Sequence, residues 1–140
     1  MKSFEFNVQR FLLGRLERGD DVLDGLTDFC RCNGVDVGHI EGLGAIERGG
    51  VGYYDHEGRV YHEIRFDEGM EIASLVGNIS RKDGEIFLHC HVTLSDSEGR
   101  CFGGHLLDGN VAVACEFTVA VLEGAAPERT HNEDTGLALW

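Results

Sequence analysis

Apolar and polar residues alternate along most of this chain, and a period of two is typical of strands that bury one face. The alternation predicts a first short strand over 4–8, which the segment 11–16 either extends or follows as a second strand. Further strands are expected over 37–47, 50–55, 59–66, 71–80 and 111–122, separated by turns such as His56-Glu57-Gly58 and Asp67-Glu68-Gly69. The pattern predicts a protein built mainly from β-strands.

One segment has the helical period instead. Asp20 is the expected N-cap, and Asn33-Gly34 is the expected C-terminal stop. Between them an apolar stripe consists of Val22, Leu23, Leu26, Phe29 and Cys30. A stripe of this kind packs most simply against a sheet. The pattern therefore predicts one main α-helix that packs against the strands.

The segment 87–106 predicts a hairpin that sorts its side chains by chemistry. On its first strand Leu88, Cys90, Val92 and Leu94 alternate with His89, His91 and Thr93. The loop 95–100 is suited to a short connection with Gly99 in the left-handed region. If Asp96 faces Arg100, then His91 lies opposite His105 and Leu94 opposite Phe102. A slip of one residue would turn Phe102 away from the other apolar side chains, so the hydrophobic pattern favours this register.

In this register His89, His91 and His105 lie together on the face of the hairpin that points away from the core. Opposed and diagonal Cβ atoms in a sheet are about 4.5 to 8 Å apart, which is within the span of three ligands on one tetrahedral ion. A fourth, open position would accept water or a substrate. The alternative is that the three histidines face solvent or a partner, and the sequence leaves both interpretations open.

The long strand expected over 111–122 carries one unusual polar residue. Val111, Val113, Cys115, Phe117, Val119 and Val121 are expected on one face; Ala112, Ala114, Glu116, Thr118 and Ala120 are expected on the other. The small residues of the second face would permit close approach of a ligand or a neighbouring subunit. If Glu116 shares the histidine face, it is a candidate to orient an imidazole or to act as a general base. The alternative is a surface or interface salt bridge.

The chain has 140 residues, which is the size of one domain, and 1–140 is expected to form it. Its formal net charge is −13, from 25 acidic and 12 basic residues, and the basic residues form no stripe. This charge opposes binding to a phosphate backbone. It would suit a cytoplasm of high ionic strength, as in a halophilic archaeon, although ordinary variation in surface charge explains it equally well.

The N-terminus lacks a leader pattern, and no stretch approaches the roughly 18 apolar residues of a membrane span, so a cytoplasmic protein without membrane contact is expected. Five cysteines without a paired spacing favour reduced thiols, with Cys90 buried. Gly42-Leu43-Gly44 lacks a full dinucleotide fingerprint and predicts a turn or a bulge.

The order of several short motifs resembles that of the plant and prokaryote conserved (PPC) domain in its stand-alone prokaryotic form, often labelled as a predicted DNA-binding protein with a PD1-like motif. The motifs are Arg18-Gly19-Asp20-Asp21-Val22-Leu23, Gly42-Leu43-Gly44-Ala45, Tyr53-Tyr54-Asp55, residues 71–80, residues 87–92, Phe102-Gly103-Gly104-His105-Leu106 and Thr135-Gly136-Leu137. Together they cover most of the chain.

The resemblance implies an α+β domain with a largely antiparallel sheet, assembled as a homotrimer. It also implies that His89, His91 and His105 match the family's histidines, for which a divalent metal, zinc foremost, is expected. Family members are labelled DNA-binding because the plant proteins carry an AT-hook beside this domain. This chain has no Arg-Gly-Arg-Pro core of that kind.

Two functions follow from these observations. The first is a trimeric, metal-binding regulatory module that is DNA-associated or binds a protein partner. The second is a metal-dependent hydrolase or hydratase that uses a metal-bound water, with Glu116 as the candidate base.

Overall fold

Nine strands and one helix account for most of the chain in the computed structural model, which describes all residues from Met1 to Trp140. In chain order the elements are β1 (Asn7–Leu16), α1 (Val22–Cys32), β2 (Gly38–Asp55), β3 (Val60–Phe66), β4 (Met70–Lys82), β5 (Glu85–Ser95), β6 (Cys101–Leu106), β7 (Val111–Glu123), β8 (Glu128–His131) and β9 (Ala138–Leu139). The helix lacks the length and apolarity of a membrane span.

The long strand β2 organises the sheet. Its first half lies between β7 and β4, and its second half pairs with β3 and β6. Because β4 pairs with β5 and β5 with β6, strand pairing closes a circuit through β2, β4, β5 and β6. All these pairings are antiparallel, and only β8 lies parallel to β4. The fold is therefore the expected single α+β domain, with a mostly antiparallel sheet and one helix.

The helix starts one residue later than expected. Asp21, not Asp20, is the N-cap, and its side chain accepts a hydrogen bond from the Asp24 backbone N–H. The side chain of Asp20 instead accepts one from the Glu17 backbone N–H in the preceding turn. Either of two adjacent aspartates could cap the helix N-terminus, and the backbone turn before the helix determines which one does.

The core lies between the helix and the inner face of the sheet. Val22, Leu26 and Cys30 of the helix are completely buried. At its edge the rings of Phe29 and Phe117 meet edge to face with their centroids 4.8 Å apart. The apolar stripe of the helix therefore packs against the sheet, as its period predicts.

Strand β7 follows the expected alternation only in its second half. Cys115, Phe117 and Val119 are buried, but Ala112 is also buried whereas Val113 is 42% exposed. The reason is a bulge, because Ala114 pairs with Ala45 while Ala112 pairs with the next residue, Ile46. The expectation that Val113 shares a face with Cys115 and Phe117 is wrong.

Strand β2 joins two segments that the pattern separates. The pairing of β2 with β4 shifts register at Gly42-Leu43-Gly44, so the expected bulge is confirmed. Gly44 has φ +151° there, and a Cβ on it would lie 2.1 Å from the Ala114 carbonyl oxygen. The first strand begins at Asn7, so Phe4 and Phe6 lie outside it, and the short strands β8 and β9 have no counterpart in the alternation pattern.

All five cysteines are free; Cys30, Cys90 and Cys115 are buried, whereas Cys32 and Cys101 are exposed. Burial raises the pKa of the Cys30 and Cys90 thiols to about 12. These buried side chains therefore remain thiols at neutral pH and act as apolar core residues.

Candidate metal centre

The hairpin of β5 and β6 has the register expected from the sequence. His91 pairs with His105 and Leu94 with Phe102. Asp96 stabilises the loop, because its buried carboxylate accepts hydrogen bonds from the Arg100 backbone and from its guanidinium. These bonds hold the pKa of Asp96 below its usual value. The turn thus fixes the pairing that brings His105 to the other two histidines.

A glycine allows β6, the strand that carries His105, to approach β2 closely. Gly104 precedes it, and a Cβ at that position would lie 2.5 Å from the Gly52 carbonyl oxygen. Gly52 in turn pairs with His105 across the β2–β6 contact. The closed strand circuit therefore holds His105 from both sides, and its imidazole is half-buried.

The three imidazoles form one cluster on the outer face of the sheet. Their ring centroids are 5.4 Å apart for His89 and His91, 5.2 Å for His89 and His105, and 5.7 Å for His91 and His105. One nitrogen of each ring lies within 4.8 Å of the others. Nitrogens bound tetrahedrally to one zinc ion at about 2.1 Å are about 3.4 Å apart, so a movement of each nitrogen by no more than roughly 0.8 Å would complete the site.

Electrostatics at the cluster favour the form of histidine that binds metals. Burial, reinforced by the charges of His105, Arg129 and His91, lowers the pKa of His89 to about 4. Burial also lowers the pKa of His105, with further contributions from His91 and Arg129. Both rings are therefore neutral at pH 7, and each has a nitrogen lone pair free to bind a cation.

One atom of the cluster is unsatisfied without such a cation. The Nδ1 of His105 is buried and has no hydrogen-bond partner. Buried polar atoms in folded proteins nearly always have a partner, because an unpaired one costs roughly 1 to 3 kcal/mol. The orphaned nitrogen and the all-imidazole donor set both fit a divalent metal.

The histidines line a cavity of about 600 Å³ on the outer face. The β2–β3 hairpin contributes Tyr54, His56 and Tyr61, and the C-terminal segment contributes Leu137. The ring of Tyr61 lies against His105 with centroids 5.4 Å apart. The cavity wall includes no acidic residue. A ligand here would meet imidazoles, phenols and apolar surface.

Glu116 lies on the same outer face but not at the histidines. Its strand is separated from β5 by β2 and β4, which is roughly 14 Å at about 4.8 Å per strand. Its side chain lines a different cavity, together with Leu13, Leu43 and Val76. The structure therefore does not bring Glu116 to the metal candidates within one chain.

The remaining histidines have ordinary surroundings or lie at the cavity rim. His39 contacts Glu41, His62 contacts Asp55, and His131 contacts Glu133, all on the surface. Only His56 joins the cavity wall, where it packs on Tyr54 with centroids 5.3 Å apart.

The sequence pattern did not predict that Tyr54, Tyr61 and Arg129 lie around the histidines. Tyr54 pairs with Tyr61 across the β2–β3 hairpin, and the turn at 56–58 is a signal that could have placed both beside each other. Arg129 offers no such signal, because β8 reaches the sheet through a loop after β7. Only the tertiary structure brings that residue near the histidines.

Known proteins resemble the chain over its whole length. The sequence model of the Plants and Prokaryotes Conserved (PCC) domain matches residues 3–123. A metal-containing protein of Archaeoglobus fulgidus has 43% sequence identity and a TM-score of 0.94, and the match covers 100% of this chain and 99% of that one. A plant- and prokaryote-conserved protein of Pyrococcus horikoshii has 37% identity and a TM-score of 0.93, with 100% and 96% covered.

A candidate DNA-binding protein of Bacteroides thetaiotaomicron has 29% identity and a TM-score of 0.87, with 96% of this chain and 94% of that one covered. No curated protein matches the chain significantly. The similar proteins thus include one described by its metal and one described by its relation to DNA.

Proposed function

Because the chain belongs to the Plants and Prokaryotes Conserved (PCC) domain family, we propose that it is a homotrimeric, zinc-binding module that regulates or assembles with a protein partner. The observation that carries the metal assignment is the convergence of His89, His91 and His105, one ring nitrogen of each within 4.8 Å of the others, together with the unpartnered Nδ1 of His105. The metal-containing relative from Archaeoglobus fulgidus supports the same interpretation.

Zinc is the proposed ion because the ligands are three imidazoles. Three histidines with an open fourth position are a common zinc donor set, whereas magnesium and calcium prefer oxygen ligands. When bound, the ion would supply a Lewis acid that faces the cavity of about 600 Å³. The protein supplies the imidazole ligands and a cavity wall without competing carboxylates.

The metal assignment is tested by elemental analysis of protein purified without an affinity tag. We expect about one zinc per chain, and we expect His89→Ala and His105→Ala each to lower the metal content strongly. His131→Ala is the matched control, since His131 is exposed, lies outside the histidine cluster and forms its ion pair with Glu133. Unchanged metal content in both cluster variants would overturn the assignment.

The trimer is supported by apolar side chains exposed on the outer face of the sheet. Leu13, Phe11, Leu43 and Val76 are 81%, 68%, 57% and 44% exposed. Leu13, Leu43 and Val76 border one cavity with Glu116, so they form one patch rather than scattered residues. A second copy of the chain is the occupant we propose for this patch.

Light scattering tests the assembly. We expect a mass of about three times the 15.4 kDa of one chain, and we expect Leu13→Glu to reduce it. Val60→Glu is the control, because Val60 is a similarly exposed apolar residue on β3, away from the patch. A wild-type monomer would contradict the trimer.

Direct DNA binding is not part of this proposal. A formal charge of −13 opposes approach to phosphates. The absence of DNA binding at physiological salt would support the protein-partner role, and tight binding there would contradict it. The five free thiols suit the reducing cytoplasm in which we place the protein.

A second candidate function is hydrolysis or hydration at the metal, and one observation favours it. The histidines face a cavity large enough for a small molecule, instead of being closed off as in a purely structural site. Glu116 is not positioned to serve as the base in the same chain, so this function needs another proton acceptor. Activity that is present in the zinc-loaded protein and lost in His89→Ala would establish this function.

A further inference from the structure

A second, smaller cavity lies on the other side of the histidines. It has a volume of about 360 Å³ and lies between the outer face of the sheet and the C-terminal segment. Its wall includes His89 and His105, as well as Tyr54 and Tyr61, so it shares these four residues with the histidine cavity. The two cavities therefore adjoin at the candidate metal ligands.

The smaller cavity concentrates positive charge in an acidic protein. Arg59, Lys82 and Arg129 all line it, and no acidic residue does. The whole chain has only 12 basic residues against 25 acidic ones. A quarter of its cations therefore surround one small cavity, where random placement would favour carboxylates.

Arg129 is the central cation, and it is 5% exposed. Its guanidinium donates hydrogen bonds to the Ser80 hydroxyl at 2.8 Å, the Asn78 side-chain oxygen at 2.8 Å and the Ala138 carbonyl at 3.1 Å. All three acceptors are neutral. A buried charge normally has a counter-charge, because removing it from water costs several kcal/mol.

Two aromatic rings near Arg129 hold it in place without neutralising it. The guanidinium carbon lies 5.2 Å from the ring centroids of both Phe87 and Trp140. The bonds to Ser80 and Asn78 fix its plane relative to β4. The side chain is thus ordered before any ligand arrives, which lowers the entropic cost of binding one.

The other two cations also lack acidic partners. Arg59 reaches only the Asp134 backbone carbonyl, at 3.4 Å, and the Lys82 ammonium lies 5.6 Å from the Phe87 ring centroid. By contrast, six arginines elsewhere are within 4.0 Å of a carboxylate; they are Arg15, Arg18, Arg31, Arg65, Arg81 and Arg100. Ion pairing is common in this protein, but not at this cavity.

We propose that the smaller cavity binds the carboxylate of a small organic acid through Arg129, Arg59 and Lys82. A planar guanidinium matches a carboxylate in shape and charge, and the volume admits a few carbon atoms. The phenol of Tyr61 lies in the same wall and offers a neutral donor. His89 and His105 lie at the boundary of the two cavities, so the rest of the bound acid would extend toward the metal. This extension rests on the proposed function.

Titration calorimetry with succinate and glutarate tests the carboxylate site, with succinamide and glutaramide as neutral controls at equal ionic strength. We expect at least one acid to bind, and neither amide. Arg129→Lys keeps the charge but loses the planar fork, and it should weaken binding about tenfold. Arg59→Gln/Lys82→Gln should weaken it by a similar factor without removing the buried bonds of Arg129.

Two controls make the result specific. Lys2→Gln removes the only other lysine and should leave the affinity unchanged, which tests for a general charge effect. The measurements are made on zinc-loaded and on chelator-treated protein. Carboxylate binding that persists without metal supports the site even if the histidines bind no zinc.

The opposite results separate the two proposals. If neither acid binds more tightly than its amide, or if the double variant binds like wild type, the carboxylate site is refuted while the metal site stands. If zinc is bound and the affinity for both acids is the same with and without it, the extension toward the metal is refuted. Tighter binding in the zinc-loaded protein supports that extension.

Discussion

Acid should destabilise the metal-free protein through His89. Its pKa is about 4 in the folded protein, against about 6.5 for an unperturbed histidine. Above pH 6.5 the ring is neutral in both the folded and unfolded states, so it contributes no pH dependence. Below pH 6.5 His89 is protonated in the unfolded chain but stays neutral in the folded protein. The free energy of unfolding therefore falls as the pH decreases toward 4.

The size of the effect follows from the two pKa values. Proton linkage gives a loss of about 2 kcal/mol between pH 7.5 and pH 5. Since His89 is half-buried rather than enclosed, solvent screening reduces this to roughly 1 to 2 kcal/mol. His105 adds to the loss in the same direction, because its pKa is also lowered.

Urea denaturation of chelator-treated protein at pH 7.5, 6 and 5 measures this free energy, at constant protein concentration and with the mass checked at each pH. His89→Gln removes the titrating group and should lose roughly 1 to 2 kcal/mol less than wild type over this range. His131→Gln is the control and should behave like wild type, since His131 lies on the surface. If wild type and His89→Gln lose equal stability, the reasoning about the buried neutral ring is refuted.

Two further predictions concern the strands that carry the site. Gly44→Ala should lower the free energy of unfolding, measured by urea denaturation, by about 3 kcal/mol or more, because its Cβ would lie 2.1 Å from the Ala114 oxygen. Gly103→Ala is the control and should lower it far less, because the atoms nearest to its Cβ would be 3.7 Å away. Equal losses in the two variants would contradict the steric argument. Asn110→Ala should lower the free energy of unfolding by about 2 to 4 kcal/mol in the same assay, because the buried amide forms hydrogen bonds with the backbone N–H and carbonyl of Gly50 and with the Leu107 carbonyl. Asn132→Ala in the C-terminal turn should lower it less. An Asn110→Ala variant as stable as wild type would contradict this role.

The helix, most strands and the histidine hairpin can be predicted from the amino-acid sequence, because these depend on local periods. A two-residue period and one turn suffice to place His91 opposite His105, since any slip would expose Phe102 and Leu106. The same reasoning predicted three neighbouring imidazoles, and the resemblance of the motifs to the PPC domain implied the largely antiparallel α+β fold. The helix cap was missed by one residue, where two adjacent aspartates compete.

Which distant residues meet depends on how the strands are ordered and packed in three dimensions. The bulge at Val113 reverses the alternation of β7, and a single-strand pattern carries no sign of it. Glu116 shares the outer face with the histidines, yet the strand order separates them by two strands. Arg129 reaches the site only because β8 adds to the edge of β4. Local periodicity sets the face on which a side chain lies, whereas strand order and long-range packing set its neighbours.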